Sequence, residues 1–341
     1  MGHSSKKLKW LAIALILVIP LFLATKNLAH IPLEKGSGEN MKEVAKSNLA
    51  FSLQAFLFER NDFVDVSKKT KEALVNIICI PKSPPFFAIS GTGVIVDPRG
   101  VVLTNAHIGQ YFLLKDFTRE NFIDCVIRTG NPAQARYKAT LFYIPETWVS
   151  KNYATITELD PVGTGENDFA LLLIDQSIDP RLALPASFPY LPMNFNEVET
   201  RGIDVLATGY PAGVLGGVSL NRDLFSVSAV TKINAIQSFD GRQRDFLLLS
   251  ASTVGERGSS GGSVVDKNGN LIGLNVTVRG GVGLLGELGS LSMTHINRSI
   301  FSDTGLSLAG FLAQNLDTLS ADFKKTRLPT LTKIYSDNLG R

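Results

Sequence analysis

Three polar residues lie in short motifs whose types and order could support nucleophilic catalysis. Ser260 lies in Gly258-Ser259-Ser260-Gly261-Gly262, His107 closes Thr104-Asn105-Ala106-His107, and Asp168 opens Asp168-Phe169-Ala170-Leu171-Leu172. A serine hydroxyl is a weak nucleophile at neutral pH, so it needs a base to remove its proton, and the base needs an orienting group. These residue types therefore predict a triad that forms a covalent intermediate.

The surroundings of each residue assign its role. Of the four histidines, His3 and His30 lie in or beside the N-terminal leader, and His295 lies near the end of a predicted strand, which leaves His107 as the base. The carboxylate of Asp168 stands beside an apolar run and needs a partner there, for which an imidazole N–H is suited. Small residues around Ser260 let the backbone turn sharply, so that the N–H groups of Gly258 and Ser260 converge as an oxyanion hole.

The chain order of these residues distinguishes between classes of serine hydrolase. His, Asp and then Ser is the order of the chymotrypsin class, whereas subtilisins and α/β-hydrolases use other orders. Those two classes also require βαβ alternation, which this sequence lacks. Taken singly, each motif has a structural explanation: a glycine turn, a structural histidine or an aspartate at the start of a strand. The joint occurrence in this order favours catalysis.

Short apolar runs separated by turn residues predict an all-β protein from about residue 70 onwards. Asp97-Pro98-Arg99-Gly100 predicts a hairpin turn, and Asp266-Lys267-Asn268-Gly269-Asn270 a second one. A last strand is predicted over 289–295 and a helix over 306–319. The predicted organisation is a signal or anchor segment (1–26), a polar, partly helical stalk or arm (27–69), a first β-barrel (70–180), a second β-barrel (181–300), and a C-terminal helix and tail (301–341).

The N-terminus combines Lys6, Lys7 and Lys9 with the apolar run of residues 10–24. Fifteen apolar residues suit the core of a signal peptide better than a full membrane span, yet no good cleavage site follows. An uncleaved membrane anchor, a cleaved signal and a buried core helix are the alternatives; the basic flank argues against the last. The positive-inside rule predicts that the remaining chain lies on the non-cytoplasmic, periplasmic-type side.

Cysteine and charge content limit the other function classes. Cys79 and Cys125 lie in apolar, strand-like runs, where they are either two buried thiols or, in an exported chain, a disulfide. No cysteine or histidine cluster has zinc-ligand spacing, so we expect no metal and no cofactor. A net charge of +3 gives no reason to expect a nucleic-acid partner.

The sequence resembles the trypsin-like serine peptidases of the HtrA/Deg type. Besides the three motifs above, the matching stretches are Gly91-Thr92-Gly93-Val94-Ile95-Val96-Asp97, Gly209-Tyr210-Pro211-Ala212-Gly213 and Asn270-Leu271-Ile272-Gly273-Leu274-Asn275. The resemblance implies a chymotrypsin-like fold of two perpendicular six-stranded β-barrels with the site in the cleft between them. It also implies protein or peptide substrates, a role in protein quality control and room for an oligomer. The family commonly carries a C-terminal PDZ domain, which we do not expect here.

Substrate preference is predicted from residues around the serine. Val254, six residues before Ser260, would lie at the base of the primary pocket in this fold, where an acid that would select lysine or arginine is therefore missing. The resemblance to HtrA-like enzymes implies cleavage after small or medium apolar residues. Leu274, Asn275 and Val276 are expected to form the strand that pairs with the substrate backbone. Arg257 either positions the oxyanion loop or is a surface charge. The glycines at 280–283 predict a flexible loop, because no phosphate-binding context surrounds them.

Two hypotheses of function follow. The first is an active serine endopeptidase, at a membrane through residues 10–24 if these are retained. The second is a protease-fold binding or scaffold protein whose site is inactive or switched off.

Overall fold

The computed structural model of the chain describes residues 63–158, 164–212, 223–250, 252, 254–255, 257–279 and 287–339. The predicted membrane segment at 1–26 and most of the predicted stalk lie outside the described residues. The described chain begins with helix α1, residues 63–72, which buries Phe63 in the core. Within the described ranges, no helix has the length and apolar character needed to cross a membrane.

The first barrel is closed by six antiparallel strands. They are β1 (Leu74–Pro81), β2 (Ile89–Asp97), β3 (Val101–Thr104), β4 (Ile123–Thr129), β5 (Gln134–Tyr143) and β6 (Ala170–Ser177). Around the barrel the strands run in the order β1-β2-β3-β6-β5-β4. The predicted hairpin joins β2 to β3, and Gly100 takes a φ of +91° there while its N–H donates to the Asp97 carbonyl.

The second barrel repeats this architecture with a new set of strands. They are β7 (Asp204–Gly209), β8 (Val227–Gln237), β9 (Phe246–Leu249), β10 (Ser263–Val265), β11 (Leu271–Arg279) and β12 (Glu287–Ser292). The order around the barrel is β10-β11-β12-β9-β8-β7. Two closed six-stranded barrels confirm the predicted all-β, chymotrypsin-like fold.

Short helices flank the barrels. They are α2 (Ala106–Leu113), α3 (Glu146–Asn152), α4 (Met293–Thr304), α5 (Leu308–Leu312), α6 (Leu316–Asp322) and α7 (Leu328–Leu339). The strand predicted over 289–295 ends early, because the Ser292 hydroxyl accepts the His295 N–H and caps α4. The polar end, predicted to be a tail, is largely helical because α7 buries Leu331 and Tyr335 against the first barrel.

One apolar cluster joins the two barrels. It contains Leu103 and Phe169 from the first barrel together with Leu206, Phe246 and Leu291 from the second. All five side chains are at most 2% exposed, so little solvent separates the barrels at this interface. Burial of these apolar side chains stabilises the packing of one barrel against the other.

The two cysteines form a disulfide. Cys79 on β1 and Cys125 on β4 are direct partners in the antiparallel register, with Cα atoms 4.1 Å apart. Of the two alternatives that the sequence left open, the structure therefore contains the disulfide, which ties two neighbouring strands of the first barrel.

Candidate active site

His107 and Asp168 meet because β3 and β6 are neighbours in the first barrel. Thr104, at the end of β3, is paired with Ala170, at the start of β6. The chain after β3 turns into α2 with His107 as its second residue, and the chain before β6 carries Asp168. The register of two strands thus places a histidine and an aspartate from distant parts of the sequence side by side.

Both oxygens of the Asp168 carboxylate bind His107. Oδ2 lies 2.8 Å from the ring Nδ1, and Oδ1 accepts the backbone N–H of His107 at 2.9 Å. The side chain of Asn105 donates to the backbone carbonyl of Asp168 at 2.8 Å, so the backbone of this residue is held as well as its carboxylate. The Asp168 side chain is 9% exposed and that of His107 is 20% exposed. Nδ1 is oriented inside the protein, which leaves Nε2 on the side of the ring away from Asp168.

Ser260 is brought to this pair by contacts with β2. The Ser260 carbonyl accepts the Thr92 N–H at 2.8 Å. A Cβ on Gly91 would lie 2.2 Å from Ile108, the residue after His107, and 3.6 Å from the Ser260 carbonyl oxygen. The start of α2 and the serine therefore pack on the same glycine, one from each barrel.

The serine stands at the corner of a tight turn. The Gly262 N–H donates to the Ser259 carbonyl at 2.9 Å, and Gly261 has a φ of +83°. A positive φ at the third residue is the mark of a type II turn, with Ser260 at its second residue. A side chain at Gly261 would place its Cβ 1.9 Å from the Thr92 carbonyl oxygen, so only glycine allows this approach.

The two predicted oxyanion donors are oriented by the carbonyls that precede them. The Arg257 carbonyl accepts the Ala212 N–H at 2.7 Å, and the Ser259 carbonyl accepts that of Gly262. In a trans peptide the C=O and N–H point in opposite directions, so the N–H groups of Gly258 and Ser260 are turned away from these acceptors. Neither N–H donates to a protein acceptor among the described residues.

Thr92 was not singled out as a site residue from the sequence, yet it holds the oxyanion loop. Its hydroxyl donates to the Gly258 carbonyl at 2.7 Å and accepts the Tyr210 N–H at 2.9 Å. The side chain is fully buried. The Gly-Thr-Gly motif was part of the resemblance, but nothing in its letters indicates a contact with a loop 166 residues away.

The residues predicted to bind substrate occupy different surroundings. Val254 is fully buried in an apolar cluster of the second barrel that includes Val205 and Ile272. Such surroundings would not stabilise the charge of a lysine or arginine side chain. Arg257, for which positioning and surface roles were both open, is an exposed residue whose backbone carbonyl binds Ala212.

The three residues of the predicted substrate strand differ in the backbone partners that they have. Leu274 pairs with Ser263 on one side and Leu291 on the other, inside the barrel. Asn275 accepts the Gly261 N–H at 2.7 Å and donates to the Gly262 carbonyl at 2.8 Å, so both of its backbone groups are occupied. In the described chain β10 pairs with β11 no further than Leu274, and the Val276 side chain is buried.

Residues 91–274 match a family model described as a trypsin-like peptidase domain. The match spans more than half of the chain and contains all three predicted triad residues. A solved structure titled "Crystal structure of Deg5" is similar, with 16% sequence identity and a TM-score of 0.45, and the likeness covers 70% of this chain and 92% of that chain. No curated protein sequence matches this one.

Proposed function

The chain belongs to the trypsin-like peptidase family and is a serine endopeptidase, and we propose that it cleaves peptide bonds through His107, Asp168 and Ser260. The observation that carries this proposal is the two-point contact of the Asp168 carboxylate with His107. Ser260 lies on a tight turn, and its carbonyl accepts the Thr92 N–H. An orienting carboxylate held to a base in this way is the arrangement that activates a serine hydroxyl.

The chemistry proceeds in two transfers. The Ser260 hydroxyl attacks the scissile carbonyl while Nε2 of His107 takes its proton, and Asp168 stabilises the resulting imidazolium. The carbonyl oxygen becomes an oxyanion that accepts bonds from the Gly258 and Ser260 N–H groups; one such donor contributes about 3–4 kcal/mol in the transition state. His107 then protonates the leaving amine, and an acyl-enzyme remains on Ser260. Water, activated by the same histidine, hydrolyses the ester.

For specificity, we propose cleavage after small or medium apolar residues. The apolar cluster around Val254 supports this preference. A substrate strand would add to the free edge of β11 beyond Asn275, where backbone N–H and C=O groups supply affinity and side-chain pockets supply selectivity. Degradation of exposed or unfolded segments, as in protein quality control, would suit a site that reads backbone and small apolar side chains.

We further propose that the catalytic barrels work on the non-cytoplasmic side of a membrane, held there by residues 10–24 or released after cleavage. The Cys79–Cys125 disulfide supports an oxidising compartment, because such bonds are rare in reducing cytosol. An inactive scaffold is the second candidate. The two-point contact that orients His107 favours the active enzyme over it.

A fluorophosphonate probe tests the proposed nucleophile. We expect the wild type to be labelled and to hydrolyse casein, and Ser260→Ala to lose both. The matched control is Ser302→Ala, which removes an exposed serine on α4 and should be labelled like the wild type. Labelling that persists in Ser260→Ala would assign the nucleophile elsewhere, and a wild type that neither labels nor cleaves would support the scaffold.

A further inference from the structure

A second histidine–carboxylate pair lies outside the triad, in the second barrel. His295 is the third residue of α4, and its Nδ1 lies 2.9 Å from Oδ1 of Asp245, the residue before β9. The Asp245 carboxylate is buried and also accepts bonds from the Phe239 N–H and the Arg298 guanidinium. With this many donors the carboxylate stays fixed, so it holds the His295 ring in one orientation.

The other ring nitrogen of His295 contacts Asn167. Nε2 lies 3.1 Å from Oδ1 of Asn167, and the Ser299 hydroxyl lies 2.9 Å from the same atom. Residues four apart share one face of a helix, so α4 presents both side chains to one amide. Either orientation of that amide forms two bonds: its oxygen accepts from a protonated ring and the hydroxyl, or its NH₂ donates to a neutral ring and the hydroxyl. Burial lowers the pKa of His295, which favours the neutral ring.

Asn167 has a backbone conformation that residues with side chains rarely adopt. Its φ is +56°, in the left-handed region. Asn121 is the only other non-glycine residue with a positive φ in the described ranges. A strained residue of this kind persists when its surroundings over-determine it, and it often lies at a functional site. The contacts that His295 and Ser299 make with the Asn167 amide hold the residue in this conformation.

The strained residue immediately precedes the predicted orienting carboxylate. The Asn167 carbonyl accepts the Phe169 N–H at 2.9 Å, and the Asp168 N–H donates to the Gly165 carbonyl at 3.1 Å. Asp168 therefore leaves a compact turn in which Asn167 sets the direction of the chain. Rotation about φ of Asn167 would swing the carboxylate away from the two nitrogen atoms of His107 that it binds.

We propose that His295, oriented by Asp245, is a positioning residue: together with Ser299 it holds the Asn167 amide and so fixes the turn that presents Asp168 to His107. The proposal rests on the triad assigned above. In this way a helix that follows the second barrel helps to position His107 and Asp168, which belong to the first barrel. Since this network lies behind Asp168 and not at the substrate edge, its loss should lower kcat and leave KM unchanged.

The test compares variants that break the contact in different ways. His295→Ala and Asn167→Gly should each lower kcat about 10- to 100-fold, because a misplacement of a catalytic group by about 1 Å costs up to about 100-fold in rate. Asn167→Gly is the sharper variant, since glycine takes a positive φ without strain and only the amide is lost. The double variant should lose no more than either single variant, because both remove one contact. His295→Gln, whose amide can reach Asn167, should recover part of the turnover.

Asn121→Gly is the matched control. It makes the same substitution at the other positive-φ asparagine, which is exposed and lies two residues before β4, so kcat should stay at the wild-type value. Wild-type kcat in Asn167→Gly would overturn the proposal, because the left-handed turn would then need no amide to hold it. If His295→Ala does not fold, as judged by circular dichroism, Asn167→Gly decides alone.

A spectroscopic measurement separates this proposal from the proposed function. The proton on Nδ1 of His107, bonded to Asp168, should give a downfield NMR resonance, which can be followed in a Ser260→Ala background without activity. We expect it to shift or broaden in Asn167→Gly and to persist in Asn121→Gly. An unchanged resonance in Asn167→Gly counts against the positioning role, whereas a wild type without Ser260-dependent labelling counts against the triad.

Discussion

The two halves of the candidate site are built in different ways. His107 and Asp168 follow from strand register: β3 and β6 pair, and the residues just beyond their ends meet through two hydrogen bonds. Ser260 and Gly258 lie in a loop between β9 and β10, and side-chain and backbone contacts with Thr92 and Ala212 hold it. The comparison teaches that the base is fixed by the barrel, while the oxyanion loop depends on a few individual bonds.

The largest effect is expected for the histidine–aspartate pair, which the pairing of β3 and β6 positions. Asp168→Asn keeps the shape of the side chain but reverses the donor and acceptor at Nδ1 of His107, so kcat should fall about 10⁴-fold. Steady-state hydrolysis of a peptide substrate measures it. Asp175→Asn, an exposed acid on the same strand β6, is the control and should retain activity. A loss below tenfold would mean that Asp168 does not orient the base.

Gly258→Ala tests the loop between β9 and β10 that carries Gly258 and Ser260. Gly258 has a φ of +94°, and a Cβ there would lie 2.7 Å from both the Ala212 nitrogen and the Tyr210 carbonyl oxygen. The loop must shift, and we expect loss of one oxyanion donor with a fall in kcat of about 10²- to 10³-fold.

Gly241→Ala is the matched control for that variant. Gly241 also has a positive φ, +78°, but a Cβ there meets nothing within 4 Å. It should carry backbone strain without loss of activity. Equal losses of kcat in both variants would show that general destabilisation, and not the oxyanion loop, is being measured.

A smaller effect is expected from the hydroxyl that connects the halves. Thr92→Val keeps the branched shape but leaves the Gly258 carbonyl and the Tyr210 N–H without their partner. Since an unsatisfied buried group costs about 1–3 kcal/mol, we expect kcat to fall about tenfold or more. Thr92→Ser retains the hydroxyl and should stay near the wild type. If kcat falls as far in Thr92→Ser as in Thr92→Val, packing and not the hydroxyl fixes the loop.

The smallest effect is expected in how the free energy of unfolding depends on pH, through the buried pair of His295 and Asp245. Burial lowers the pKa of His295. Burial would raise the pKa of Asp245, but bonds from the Phe239 N–H and His295 outweigh it and lower that pKa. The charged groups facing His295 are Asp245, Arg298 and Glu166. In both cases the unfolded chain takes up protons before the folded one, so the free energy of unfolding should fall as pH decreases.

The two groups act in separate pH windows. His295 should lower stability as pH falls below about 6.5, and Asp245 should add to this below about 3.9. Urea unfolding midpoints at pH 7 and pH 5 measure the first window. His295→Gln should lose less stability over this interval than the wild type. Identical pH dependence in the two proteins would contradict the assignment of the window to His295.

Much of the fold could be predicted, and the candidate triad residues could be named, because their signals are local. Apolar β-branched runs and the Asp97–Gly100 turn indicate strands and hairpins from neighbouring residues alone. The end of β12 was missed by a few residues, since Ser292 caps α4 only once the helix forms. The helical nature of residues 328–339 was missed as well, because it depends on burying Leu331 and Tyr335 against another part of the chain.

The sequence by itself determined the residue types and their order: a histidine, an aspartate and a serine, glycines where the backbone must turn, and an all-β pattern around them. Only the tertiary structure decided which groups hold them. The Thr92 hydroxyl meets Gly258 across 166 residues of sequence, and His295 meets Asn167 across 128. Contacts over such separations depend on how two closed barrels pack together, and no local propensity encodes that packing.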